Sequence, residues 1–131
     1  MPLLKFAQYG VSWTSDTIKV LLSEDAPTDA VYADDLTECS GTGYSRQTLG
    51  SKTVTDNGDY LIYDAADVTF STITVADVAY AYVVKDTGDD STSVIIGYFD
   101  IRDNGTPRNV INDDLILQFS ANGIFHERYQ A

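Results

Sequence analysis

An all-β domain, built as an antiparallel β-sandwich or jelly-roll-like barrel of about eight to ten short strands, is the fold class this 131-residue sequence predicts. Three observations predict it. Seventeen of the twenty acidic residues are Asp, which disfavours helix interiors and favours turns, and they stand beside fourteen Thr, a strand former. Short apolar runs recur along the chain, each closed by Gly, Asn, Asp or Pro. The length suits one domain, because two halves of this size would each struggle to bury a core.

The elements follow in order. Residues 1–14 carry Leu3, Leu4, Phe6, Tyr9, Val11 and Trp13 around Gly10, with neither a strand nor a helix period. They predict an N-terminal docking arm ahead of a single sandwich domain over 15–131. Apolar side chains without a period must be covered by the domain itself or by a neighbour, so Leu3, Leu4, Phe6, Tyr9 and Trp13 are the candidate partner-binding residues. Residues 17–22, Thr-Ile-Lys-Val-Leu-Leu, form the first strand, stopped by the turn residues and proline of 23–27. Residues 28–36 space Ala30, Val31, Ala33 and Leu36 in threes and fours behind a Thr or Asp cap, which allows one short helix.

Ser40-Gly41-Thr42-Gly43 is too glycine-rich for regular structure and leads into a strand over 44–49. Asp56-Asn57-Gly58-Asp59 between 52–55 and 60–63 is the strongest hairpin signal of the chain. Residues 68–70 form a short strand. The run 73–85 is the longest of all, apolar on both faces, and so a central strand. Residues 94–101 read the same way, and 115–119 with 124–129 close the chain as a second hairpin around Ser120-Ala121-Asn122-Gly123.

Charge and composition exclude several functions. A formal net charge of −12 repels phosphate backbones, and the eight Lys and Arg are scattered, so no nucleic acid partner is expected. Cys39 is the lone cysteine, which rules out an intrachain disulfide and the usual zinc ligand set. The opening residues are too short an apolar run for a signal peptide, and no stretch of eighteen apolar residues exists. The expectation is a protein made in a cytoplasm with no membrane partner.

No catalytic, cofactor-binding or metal-binding residue is assigned, and the chain reads as a non-enzyme without cofactors. His126, the sole histidine, neighbours Glu127, but adjacent strand residues point to opposite faces and cannot act as base and orienter. The pairs Asp34-Asp35, Asp89-Asp90 and Asp113-Asp114 suggest a two-carboxylate hydrolase or a calcium site, yet none has calcium-loop spacing, and Asx with Gly is what tight turns need anyway. Nine Tyr and the Trp exceed the needs of a small core and modestly favour a contact surface.

A set of short segments occurs in one order: Ser40-Gly41-Thr42-Gly43-Tyr44, Val68-Thr69-Phe70, Thr72-Ile73-Thr74, Val84-Lys85-Asp86-Thr87-Gly88, Ile96-Gly97-Tyr98-Phe99-Asp100, and Phe119 through Asn122-Gly123-Ile124-Phe125. With the early Asp-Thr-Ile-Lys-Val at 16–20 and the acidic stretch at 63–69, they resemble a family of small tailed-phage virion structural proteins, over roughly residues 16–126. The resemblance implies a particle component, first a capsid decoration or cement protein on the virion surface. Its implied partners are the major capsid protein and copies of itself, as a homo-oligomer with a trimer favoured. A minor tail, baseplate or fibre component and a carbohydrate-binding module that stacks sugars on exposed Tyr and Trp are the alternatives. The arm before Asp16 and the finish 126–131 depart from the family pattern.

Overall fold

The computed structural model describes residues 10–27 and 29–128, and within them the chain is all-β with every strand pairing antiparallel. Ten strands follow in order: β1 Ile18–Ser23, β2 Gly41–Thr42, β3 Gln47–Thr48, β4 Thr53–Asp56, β5 Tyr60–Asp64, β6 Val68–Val78, β7 Tyr80–Lys85, β8 Ile95–Asp100, β9 Arg108–Leu117 and β10 Phe125–Arg128. They form a four-stranded sheet in the order β3-β1-β7-β8 and two three-stranded sheets, β10-β5-β4 and β2-β6-β9.

The four-stranded sheet is buried on both faces. On one face Ile18, Val20, Leu22, Ala81, Val83 and Ile96 meet Phe70, Ile73, Val75 and Val78 of β6 and Tyr63 and Phe125 of the β10-β5-β4 sheet, the arrangement of a sandwich core. On the other face Leu21, Tyr82, Val84 and Ile95 are covered by Ala30, Ala33 and Leu36 from the segment after β1. This second cover explains why β7, Tyr-Ala-Tyr-Val-Val-Lys, has no polar face. Each large side chain it buries contributes roughly 1.5–3 kcal/mol of transfer free energy.

The central-strand reading of 73–85 therefore holds for its second half, while its first half belongs to another sheet. The run breaks at Ala79: β6 ends in the β2-β6-β9 sheet and β7 starts in the four-stranded one. Asp77 makes the corner, with φ of 60°. β6 and β9 are also longer than the sequence suggested, because they run past three irregularities in register between Phe70 and Val78. At each irregular residue a side chain from the opposite strand replaces the lost ladder bond. Thr72 N–H donates to Asp114 Oδ1 (2.7 Å), Asp77 N–H to Asn109 Oδ1 (3.1 Å), and Asn112 N–H to Thr74 Oγ1 (2.9 Å). All three donors have positive φ.

Four further expectations change. The helix over 28–36 shrinks to a 3-10 turn at Ala33–Asp35, since the Asp35 carboxylate folds back onto the N–H groups of Val31 and Tyr32 and Leu36 is already extended. Gly41 is not in an irregular loop: Gly41 and Thr42 pair with Val75 and Thr74, and a Cβ at Gly41 would stand 2.0 Å from the Thr74 carbonyl oxygen. That glycine serves close approach. The strand over 44–49 contracts to Gln47–Thr48. The closing hairpin does not form, because β9 pairs with β6 and β10 pairs with β5, in register Phe125↔Tyr63. The Asp67 carboxylate accepts the N–H of Phe119, and Ile124 N–H donates to the Tyr63 carbonyl, so the chain crosses from one sheet to the other. The Asp56-Asn57-Gly58-Asp59 hairpin is present as read, joining β4 to β5.

Candidate contact surfaces

Leu3, Leu4, Phe6 and Tyr9 lie outside the described residues. Trp13, the fifth residue expected on the docking arm, points inward. It is 2% exposed, its ring meets Tyr63 (5.9 Å) and Phe125 (6.0 Å) edge-on, and its indole N–H donates to the Asp64 carbonyl at 3.0 Å. Val11 is buried in the same core. The end of the segment that the structure describes is thus part of the sandwich, and Trp13 is neither a partner contact nor a platform for sugar stacking. A small domain has room for a large ring between its sheets, and burial there satisfies both its apolar body and its polar tip.

The acidic pairs are engaged in local structure. Asp35 caps the 3-10 turn, Asp89 receives the N–H and hydroxyl of Ser91, and Asp90 pairs with Arg46. Asp114 supports the irregular Thr72 as described. Backbone N–H donors hold the Asp35 carboxyl below the usual carboxylate range, and the bonds from Ser91 do the same for Asp89. No group of three or more His, Cys, Asp or Glu side chains able to hold a metal ion occurs among the described residues.

The densest polar cluster centres on Arg46. Its guanidinium makes a two-point contact with Glu38 (3.0 and 2.8 Å) and another with Asp90 (2.9 and 3.0 Å). The Tyr44 hydroxyl donates to Glu38 at 2.6 Å and accepts the Leu22 N–H of β1 at 3.0 Å. Burial, then the bond to Glu38, pushes the Tyr44 phenol far up, and the Glu38 bond holds Arg46 charged. This cluster ties β1 to the loop after β7. Cys39 is buried, and burial followed by the neighbouring Glu24, Asp77 and Glu38 raises its thiol to about 11, which disfavours the reactive thiolate.

Three features remain, two of them on the surface and the third a tyrosine cluster in which Tyr80 and Tyr82 are buried. Val54, Ile111 and Ile116 are the exposed large apolar side chains among the described residues, Ile111 at 74% and Ile116 at 54%. Ile116 also edges an apolar groove of about 350 Å³ with Phe99, Ile101, Phe119 and Ile124, set where the free edges of β8 and β9 come together. On the opposite face of the four-stranded sheet Tyr80, Tyr82 and Tyr98 touch one another at 6.1–6.3 Å, and Arg102, paired with Asp100, lies over Tyr80 at 5.1 Å. The outer face of the β10-β5-β4 sheet holds a polar groove of about 420 Å³ whose lining includes Thr53, Thr55, Asp64 and His126.

No protein-family model, curated protein or solved structure matches the chain. The surfaces must therefore be read from their own chemistry. Sequence reasoning missed Ile111 because β9 begins Arg-Asn-Val-Ile-Asn-Asp-Asp, which reads as a polar turn until its pairing with β6 is known, and it placed Ile116 in a strand over 115–119 without the partner that turns its side chain outward. His126 is exposed, with Nε2 2.5 Å from the Asn122 carbonyl oxygen and its ring 6.0 Å from that of Tyr60.

Proposed function

We propose that this chain is a structural protein of a tailed-phage virion, and within that class a capsid decoration protein that binds the mature shell and bridges neighbouring major capsid subunits. The observation that carries the reading is the ordered set of segments resembling such proteins. Those segments fall on β1, β2, β6, the end of β7, β8 and the approach to β10, so the resemblance follows the framework of the sheets instead of one loop. The employment of its acidic side chains in caps and ion pairs supports a structural role. The exposed Ile111, and Ile116 at the edge of an apolar groove, supply surface for a protein partner.

The mechanism is linkage. A protein that binds only the expanded shell stabilises it by mass action, and many copies bridging adjacent subunits multiply a modest interface. With a net charge of −12 the matching capsid surface is neutral or basic, and the proposed assembly is a symmetric oligomer, a trimer over junctions of capsid subunits. A cryo-EM map of the intact particle tests this: density for the chain over capsid junctions is expected. Density confined to the tail would replace decoration by a tail role, and a particle without the chain would overturn the virion reading. Within the reading, Ile111→Asp with Ile116→Asp should remove the protein from particles while shifting its thermal midpoint by only a degree or two, since both side chains are exposed.

A further inference from the structure

We propose that the polar groove on the outer face of the β10-β5-β4 sheet is a binding site for a neutral sugar. The inference is independent of where the chain resides, since it concerns chemistry that the isolated domain presents. Thr55 of β4, Ile62 of β5 and His126 of β10 lie in one row across the three strands, and Thr53 and Asp64 form the next. The loop 121–123 walls one side. It closes this tightly only because residue 123 is glycine: its φ is 101°, and a Cβ there would sit 2.5 Å from the Ile62 side chain.

The groups on this face fit a polyhydroxylated ligand and few others. A sugar offers hydroxyls that both donate and accept, together with patches of C–H. The exposed hydroxyls of Thr53 and Thr55 can do either. Asn57 accepts the N–H groups of Asp59 (3.1 Å) and Tyr60 (2.8 Å) through Oδ1, which orients its amide and leaves the NH2 as a fixed donor. Asp64 accepts the Ala65 N–H with one oxygen and keeps the other as an acceptor. A carbonyl only accepts, so the contact to Asn122 places the proton on Nε2 of His126 and leaves Nδ1 to accept. Ile62 forms an apolar floor that supplies a surface for C–H contact.

Other ligand classes fit less well. The Asp64 carboxylate and the net charge of −12 oppose anions, and one carboxylate is too few oxygen ligands for a hard cation. An apolar ligand would find Ile62 surrounded by polar groups. The groove volume lies within the range of roughly 300–1,000 Å³ usual for small-molecule sites.

Titration of the ¹⁵N-labelled full chain with glucose, galactose, mannose and N-acetylglucosamine, followed by amide chemical shifts, tests the proposal. For at least one sugar, saturable shifts are expected at the amides of Asn57, Ile62, Asp64, Gly123 and His126. The double change Thr53→Val with Thr55→Val, which keeps strand propensity and shape, should weaken that binding about tenfold. Thr55→Arg should block the groove outright. Absence of saturable shifts with all four sugars, shifts centred on Tyr80 and Tyr98 instead, or unchanged binding by a folded Thr55→Arg protein would each overturn it.

Discussion

Replacing Arg46 by Met would leave the Glu38 carboxylate facing the Tyr44 hydroxyl with no counter-charge, and Asp90 without its partner. Charge-assisted two-point bonds are stronger than neutral ones, and stranding one partner costs more than the pair contributed, so we expect a loss of about 2 kcal/mol, read from urea denaturation. Trp13→Ala should cost more, about 3–5 kcal/mol, because it opens a cavity between Tyr63 and Phe125. That loss would be measured the same way. Cys39 gives a chemical test at the same scale: native protein near pH 8 should react with iodoacetamide very slowly, and denatured protein quickly, since burial and nearby carboxylates keep the folded thiol protonated. Individual residues were unevenly legible in the sequence. Asn57 and Gly58 declared their turn because turn chemistry is local, whereas the inward orientation of Trp13 depends on space that Tyr63 and Phe125 leave, which no neighbour in sequence encodes.

Strands show the same division between local and distant causes. The β4–β5 hairpin follows from residues that touch each other along the chain, but β10 had a Gly-containing turn before it and still paired with β5 instead of β9. Partner choice between strands is a long-range matter of which faces are apolar. The run 73–85 misled for a related reason: its buried positions step from Val75 to Val78 past Asp77, and in a run apolar on both faces that one polar residue does not reveal a change of sheet until the pairing with β9 is known. The polar groove was invisible because its row of side chains comes from three strands that no linear motif unites. Two predictions belong here. Val83, fully buried on central β7, should not tolerate Asp, since an unpaired buried charge costs several kcal/mol, comparable to a whole domain's stability; soluble expression reports the outcome. Asp114→Ala removes the acceptor for the Thr72 N–H at an irregular position and should cost about 1 kcal/mol, with faster amide exchange at Thr72 as its local signature.

Across the whole molecule, charge sets the response to pH and salt. The Asp100 carboxyl is lowered to about 2 by its bonds from Arg102, Asp86 is lowered first by Lys19, and Asp35 and Asp89 move the same way. A depressed carboxyl stabilises the fold above its unfolded value, near 3.8, and that contribution disappears as pH falls through the folded value. Thermal midpoints should therefore fall as pH drops from about 4 towards 2, modestly because these carboxylates are exposed to solvent. The net charge of −12 works against self-association, so any oligomer should strengthen as salt is added, which sedimentation at two ionic strengths would reveal.

The contact between Trp13 and Phe125 joins side chains 112 positions apart along the chain. On the ribosome the indole has no such neighbour until residue 125 has been made, an interval of roughly 5–20 s at ordinary rates of synthesis. Until then the nascent chain carries an aromatic ring covered on the Tyr63 side alone and a β5 paired to β4 but open along its other edge, where β10 arrives at the same moment. Synthesis of β10 is thus the event that seals this end of the sandwich, and a ribosome stalled before residue 125 should hold a nascent chain that nearby proteases cut readily.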